Sequence, residues 1–237
     1  VHGDCERAVE IYLMENDAES STPGSVARRA YAEHRDPARA LREFPPAYRF
    51  ERILLERLAR GYPADRALRG LSRELRLLFV HAYQSLLFNG WVSERVARGL
   101  PLDRPVEGDH LLRVGRDGTL VSHPGVPVGP DNLAEARRWV EEGGARVAGP
   151  LVGYATPPSR GVPGEILEKI LGREGVTRES FRVFSAPEVA SAGAFRPVLV
   201  PAPPSPWKSR GRRPVRILPA EGRLCDRPAP GVPQGAR

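Results

Sequence analysis

The sequence predicts an α+β fold, helix-rich in its first half and then a small mixed α/β part with short strands. Three observations carry this. Up to about Ala97, apolar residues recur every three or four positions, the spacing of amphipathic helices. Beyond Gly99-Leu100-Pro101 the period shortens towards two and an Asp117-Gly118 turn signal follows. The chain also carries 24 Gly and 25 Pro among 237 residues, a load that favours many turns and short strands over long regular sheets.

In chain order, 4–16 opens with acidic residues and places Ala8, Ile11 and Tyr12 in one row, predicting a first helix. A loop to Gly24 precedes a second helix with Val26, Ala30 and Tyr31. Pro37 at the first turn starts a short third one, which Pro45-Pro46 stops. Residues 48–61 put Phe50, Ile53, Leu54 and Leu58 on one face, with Gly61 as the cap. A weak helical turn at 65–68 leads to Ser72, the N-cap of the longest helix. After it come a hairpin with strands at 110–114 and 119–122, a helix at 133–142, a strand at 146–149 and a turn-rich loop from Pro150 to Tyr154. A helix at 165–172, an N-cap at Thr177 and a strand candidate at Val198-Leu199-Val200 complete the pattern. Past Pro201 no periodicity remains, and a Pro- and Arg-rich disordered tail is expected.

The chain is organised around the helix from Leu75 to Val96. Two apolar rows leave little of its circumference for water, so it reads as a core helix with Phe79, Leu86 and Leu87 in the core. A polar strip interrupts them: His81, Ser85 and Asn89 at spacing i, i+4, i+8, with Gln84 beside His81. Four polar side chains on such a helix need partners. They either bond neighbouring loops inside the domain, as most buried polar groups do, or line a cleft and meet a polar ligand.

Composition excludes several classes. No apolar run is long enough for a membrane span, and the first residues lack the layout of a signal peptide, so a cytoplasmic protein is expected. Cys5 and Cys225 stand alone at opposite ends with no His or Cys at ligand spacing, so neither a metal site nor a disulfide framework is expected, and no cofactor is. The net charge of +7 is concentrated at the end: from Ser205 on, eight basic residues face only Glu221 and Asp226, while the remaining chain holds 28 basic against 27 acidic residues. A nucleic-acid surface in the folded body must therefore come from local clusters. Phosphate-cradling Gly-rich loops, His-Glu-x-x-His and Gly-x-Ser-x-Gly are absent. A base and nucleophile pair at His81 and Ser85 would lack the orienting acid and oxyanion donors that such chemistry needs.

Five segments, in order, resemble the tRNA pseudouridine synthase D family, especially its archaeal members: Gly3-Asp4-Cys5-Glu6-Arg7-Ala8-Val9; His81 to Asn89 with Ser93-Glu94-Arg95; the Gly108-Asp109 hairpin; Pro150-Leu151-Val152-Gly153-Tyr154 with Gly161; and Phe181 to Arg196. The second is the most specific, and Val152 stands where the family more often has Pro. The resemblance implies conversion of uridine to pseudouridine in tRNA, in which an Asp acts on a flipped nucleotide while the base is detached, turned and rejoined through carbon. That Asp, in a Lys-Asp loop, and the Asn-x-Phe-Gly motif are expected upstream of this chain. No residue here is then catalytic, and the chain by itself is expected to be inactive. The implied organisation is a helical lead-in from the catalytic domain at 1–40, a family-specific inserted domain at 41–195, and a return strand and tail at 196–237. Gln84, Ser85, Asn89, Arg113, Arg116, Arg160 and Arg196 are the candidate RNA contacts, arginine being able to grip a phosphate with two bonds. The alternative is a non-catalytic RNA-binding or assembly module.

Overall fold

The computed structural model describes residues 4–14, 21–183 and 186–200, without the side chains of 122–124. The architecture is α+β. It divides into two compact units, Val1–Phe88 with Pro150–Pro158 and Glu168–Arg196, and Asn89–Gly149 with Ser159–Leu167 and Pro197–Arg237.

The first unit is built from α1 (Cys5–Met14), α2 (Pro23–His34), α3 (Pro37–Glu43), α4 (Arg49–Ala59), α5 (Ala64–Leu68) and most of α6 (Arg73–Ala97). Local chemistry sets the helix starts. The Thr22 hydroxyl accepts from the Ser25 N–H at 3.3 Å with Pro23 in the first turn, and the Asp36 carboxylate accepts from the Ala38 and Arg39 N–H groups. Leu13, Tyr31, Phe44, Leu54, Leu55 and Leu71 form the core. Arg52 donates to the carbonyls of Leu41 and Phe44 at 2.6 and 2.8 Å, satisfying the end of α3. In α1 the buried pair is Val9 and Leu13, while Ala8 and Ile11 of the expected row face outward. Spacing alone could not choose between two adjacent rows on so short a helix. In α4 Phe50 is exposed, and Glu51 is buried instead, held by Arg28 at 2.5 Å.

The second unit holds the end of α6, β1 (His110–Val114), β2 (Leu120–Pro127), α7 (Leu133–Glu141), most of β3 (Ala145–Leu151) and the start of α8 (Gly161–Glu174). β1 pairs antiparallel with β2, with a register shift between Leu111 and Arg113, and antiparallel with β3, His110 facing Ala148. The Asp117-Gly118 turn forms as expected, the Asp117 carboxylate accepting from the Thr119 N–H and hydroxyl. Leu111, Val128, Ala136, Ala145 and Val147 bury the face of the sheet under α7. β2 runs five residues beyond the expected end at 122, through Pro124. Among the described strands β2 pairs with β1 alone and so lies at an edge, where a missing N–H costs no ladder bond.

β4 is Ala194–Pro197, earlier than the strand expected at 198–200. Val198 still donates to the Val147 carbonyl at 2.9 Å, but Leu199 and Val200 are exposed. Their β propensity had no face to cover. α8 begins four residues before Glu165, and Thr177 opens a 3-10 turn, Arg178–Arg182, with a capping box. A second 3-10 turn, Pro187–Val189, gave no sequence signal. The tail from 201 onward lies outside the described residues.

Candidate functional site

α6 separates its faces more sharply than its sequence does. Val80, Gln84, Leu87 and Phe88 are buried, whereas Leu78, His81, Ala82, Leu86 and Asn89 are exposed. Leu87 is 1% exposed, in the core as expected; Leu86 at 51% and Phe79 at 37% are not. Both overturned expectations have one origin. On a helix apolar nearly all round, the sequence cannot say which side meets a neighbour.

Gln84 is 3% exposed and separates from the rest of its strip. Its Nε2 donates to the Val152 carbonyl at 2.7 Å and to the Ser191 hydroxyl at 2.8 Å. One amide thus clamps α6 to two loops of the first unit. The contact uses the backbone of residue 152, so Val in place of the family's more usual Pro leaves it intact. The two loops approach each other through glycine: a Cβ on Gly153 would lie 2.0 Å from the Gly193 nitrogen, and Gly193 itself has φ +89°. Tyr154 and Ala155 donate to the carbonyls of Ser191 and Ala192, and the Thr156 hydroxyl accepts from the Gly153 N–H at 2.7 Å. On this platform the Arg182 guanidinium lies 4.4 Å above the Tyr154 ring, and exposed Arg196 lies 5.0 Å above Phe88.

Ser85 donates to the His81 backbone carbonyl at 2.9 Å, the usual back-bond of a helical serine. Its proton is directed at its own helix and not at the imidazole, so the pair is not arranged for nucleophilic catalysis. Asn89 is exposed, and the strip of His81, Ser85 and Asn89 runs along the outward side of the helix.

In the second unit the geometry centres on a pair that sequence reasoning missed. Arg95 and Asp109 are both fully buried as side chains and joined twice, Nη1 to Oδ1 at 2.6 Å and Nη2 to Oδ2 at 2.8 Å. Arg95 Nε donates to the Pro101 carbonyl, and Asp109 Oδ2 also accepts from the Val106 N–H, each at 2.8 Å. Burial pushes the Asp109 carboxyl up from its ordinary range, while the Arg95 bonds and the Val106 N–H pull it back. Beside it Trp91 donates from Nε1 to the Pro163 carbonyl at 2.9 Å. Gly108, at φ +91°, lets this segment pass against the Arg160 backbone, where a Cβ would meet the carbonyl oxygen at 1.8 Å. The signal was present: Arg95 and Asp109 lie in two of the segments that carry the family resemblance.

Arg113, Arg116 and Arg160 are all exposed in this unit. Arg113 lies 5.4 Å over the Trp139 ring, and Arg116 stands on the β1–β2 turn. Among the described aspartates only Asp109 is buried, and its carboxylate is occupied by Arg95. Among the described residues no group of His, Cys, Asp or Glu is placed to hold a metal ion, and no helix is long and apolar enough to cross a membrane.

The model of one protein family, tRNA pseudouridine synthase D (TruD), matches residues 1–214. Proteins bearing the name "Probable tRNA pseudouridine synthase D" include that of Thermococcus gammatolerans, 36% identical over 200 residues, which cover 84% of this chain and 47% of the relative. That of Methanopyrus kandleri is 38% identical over 200 residues, 83% of this chain and 42% of the relative. The crystal structure of the Methanosarcina mazei protein described as tRNA pseudouridine synthase D superposes with a TM-score of 0.77 at 31% identity, covering 83% of this chain and 45% of that one. The chain therefore spans about half the length of the curated relatives it matches. With the ordered motifs, the buried Arg95–Asp109 pair that joins two of them and a match over most of its length, the chain belongs to the tRNA pseudouridine synthase D family.

Proposed function

We propose that this chain is part of a tRNA pseudouridine synthase, the portion that shapes and grips tRNA while a nucleophilic aspartate outside these residues isomerises the uridine. The observation that carries this reading is the family match across residues 1–214. The aspartates support the division of labour: among the described ones, the single buried carboxylate is spent on Arg95, and the others sit at the surface or half-buried. By this reading the chain acts in the cytoplasm, where its substrate is, and without a cofactor. The isomerisation breaks the bond from ribose to the base nitrogen and makes one to carbon, so it needs no oxidant.

Arg113, Arg116, Arg160 and Asn89 in one unit and Arg196 in the other are the proposed RNA contacts, supported by their exposure. Gln84 and Ser85 act indirectly, within the first unit. Gln84 fixes the Val152 and Ser191 loops, and Ser85 holds the helix turn beside them.

The test has two arms. The chain alone is titrated with unmodified tRNA at rising salt, and pseudouridine is mapped afterwards. Binding that weakens with salt and leaves no product is expected, with the combined Arg113→Ala, Arg116→Ala variant reducing the salt slope by about 2. Product from the chain alone would overturn the assignment of the nucleophile. Salt-independent binding would overturn the arginine contacts. In the second arm this chain replaces the matching segment of the Thermococcus gammatolerans relative, and a chimera that folds and binds tRNA without forming pseudouridine would leave only an RNA-binding module.

A further inference from the structure

The outward side of α6 carries a stripe that nothing among the described residues covers. Leu78 is 58% exposed, Ala82 is exposed and Leu86 is 51% exposed, recurring every four residues, whereas Leu75, three residues earlier, packs against the core of the first unit. Phe79 borders the stripe at 37%, its ring 5.4 Å from Tyr12. On the opposite side Val80, Gln84 and Leu87 already fill the core of the unit. A helix that is apolar on both sides and packed on one is half of an interface.

Two observations say what covers the other half. The first is charge. From Leu77 to Ser93 the helix holds no Lys, Arg, Asp or Glu, so this stretch offers neither a guanidinium nor an ammonium group to a phosphate backbone. Nucleic acid is gripped chiefly through such cations, whereas exposed leucines and a phenylalanine fit an apolar protein surface. The second is length. The chain matches 83–84% of itself to relatives of which it covers only 42–47%. Each relative is one polypeptide, so more than half of it accompanies the matched part in the same molecule.

We propose that the Leu78–Leu86 stripe of α6 is the seat of that remaining part of a synthase D polypeptide, an apolar protein surface that makes α6 a core helix of the complete enzyme. The inference rests on family membership and not on the proposed tRNA contacts or the missing nucleophile.

The experiment co-expresses this chain with the portion of the Thermococcus gammatolerans relative that it does not match, then reads co-purification and the stoichiometry by native mass spectrometry. A one-to-one complex is expected. The paired Leu78→Ser, Leu86→Ser variant should weaken it by about tenfold or more, the size of effect seen at central apolar contacts. Val121→Ser, an equally exposed apolar residue of the second unit, should leave it unchanged. Two soluble parts that do not associate, or a complex indifferent to the paired variant, overturn the proposal. So does a dimer of the chain alone that the pair dissolves, because the stripe then belongs to a second copy. Loss of tRNA binding by the chain alone in the paired variant assigns the face to RNA and equally overturns it. Should the separate portion be insoluble, the same variants are read in the chimera. Earlier melting of the pair than of Val121→Ser supports the seat, and equal melting refutes it.

Discussion

Replacing Asp109 by Asn keeps the shape of the side chain and removes its charge, leaving the Arg95 guanidinium fully buried without a counter-ion. In the native protein that guanidinium makes two bonds to the carboxylate and one to the Pro101 carbonyl, and neither partner of the pair touches solvent. Breaking a buried pair from one side typically costs about 3–5 kcal/mol, because the remaining charge stays out of water with nothing to offset it. Against a total stability of about 5–15 kcal/mol, that is a large share. For a chain of this size the loss corresponds to a fall of roughly 6–20 °C in Tm. Arg95→Met should cost a similar amount, orphaning the carboxylate. The combined Arg95→Met, Asp109→Leu variant is the informative one. It removes both charges and leaves only the Pro101 carbonyl and the Val106 N–H without their partners, at about 1 kcal/mol or more each. It should therefore be more stable than either single variant. Urea melts of the four proteins close the cycle. Single-variant costs that simply add in the double, or an Asp109→Asn protein that melts within about 1 kcal/mol of the native one, would show that the pair does not hold the end of α6 to the start of β1.

The two neighbouring leucines of α6 should part company: Leu87→Ala opens a core cavity and costs about 2–5 kcal/mol, while Leu86→Ala in this chain stays within about 0.5 kcal/mol, and equal denaturant midpoints would contradict the facing of the helix. Gln84→Ala strips the Val152 carbonyl of its donor and should cost about 1–3 kcal/mol in a urea melt; no loss would mean that the two loops hold without the clamp. His110 gives a pH dependence. Burial holds its imidazole below the ordinary range, so the unfolded chain binds the proton more readily than the folded one. Stability from this residue is complete above the unfolded value near 6.5 and falls as pH drops through it towards the folded value, by up to about 1.4 kcal/mol per pH unit. His110→Gln should flatten that slope between pH 5 and 7, and parallel slopes in the two proteins would exclude His110 as the cause.

What the sequence made legible, and what it hid, divides along a physical line. Elements defined by local chemistry came through: the helix start at Pro37, the cap at Ser72, the Asp117-Gly118 turn and the break at Gly99 each act over a few residues, and each lies where expected. Choices that depend on what lies opposite did not. Leu86 and Leu87 are adjacent and chemically identical, yet one is exposed and the other buried, because only tertiary packing gives α6 an inside and an outside. The same limit hid the Arg95–Asp109 pair. Read locally, Asp109 has His110 as its neighbour in sequence, whereas its partner in space is fourteen residues back on another element. Gln84 shows the converse. Its type and place announced a buried polar group in need of partners, and the partners proved to be a carbonyl and a hydroxyl of distant loops, one of them in the Pro150 to Tyr154 segment. A clamp of this kind constrains the spacing of three segments at once. That explains why several short motifs, weak one by one, identify the family when they occur in order: the His81 to Asn89 helix, the Val152 loop and the Ser191 loop are one hydrogen-bonded structure, and a chain that keeps one of them needs the others to satisfy it.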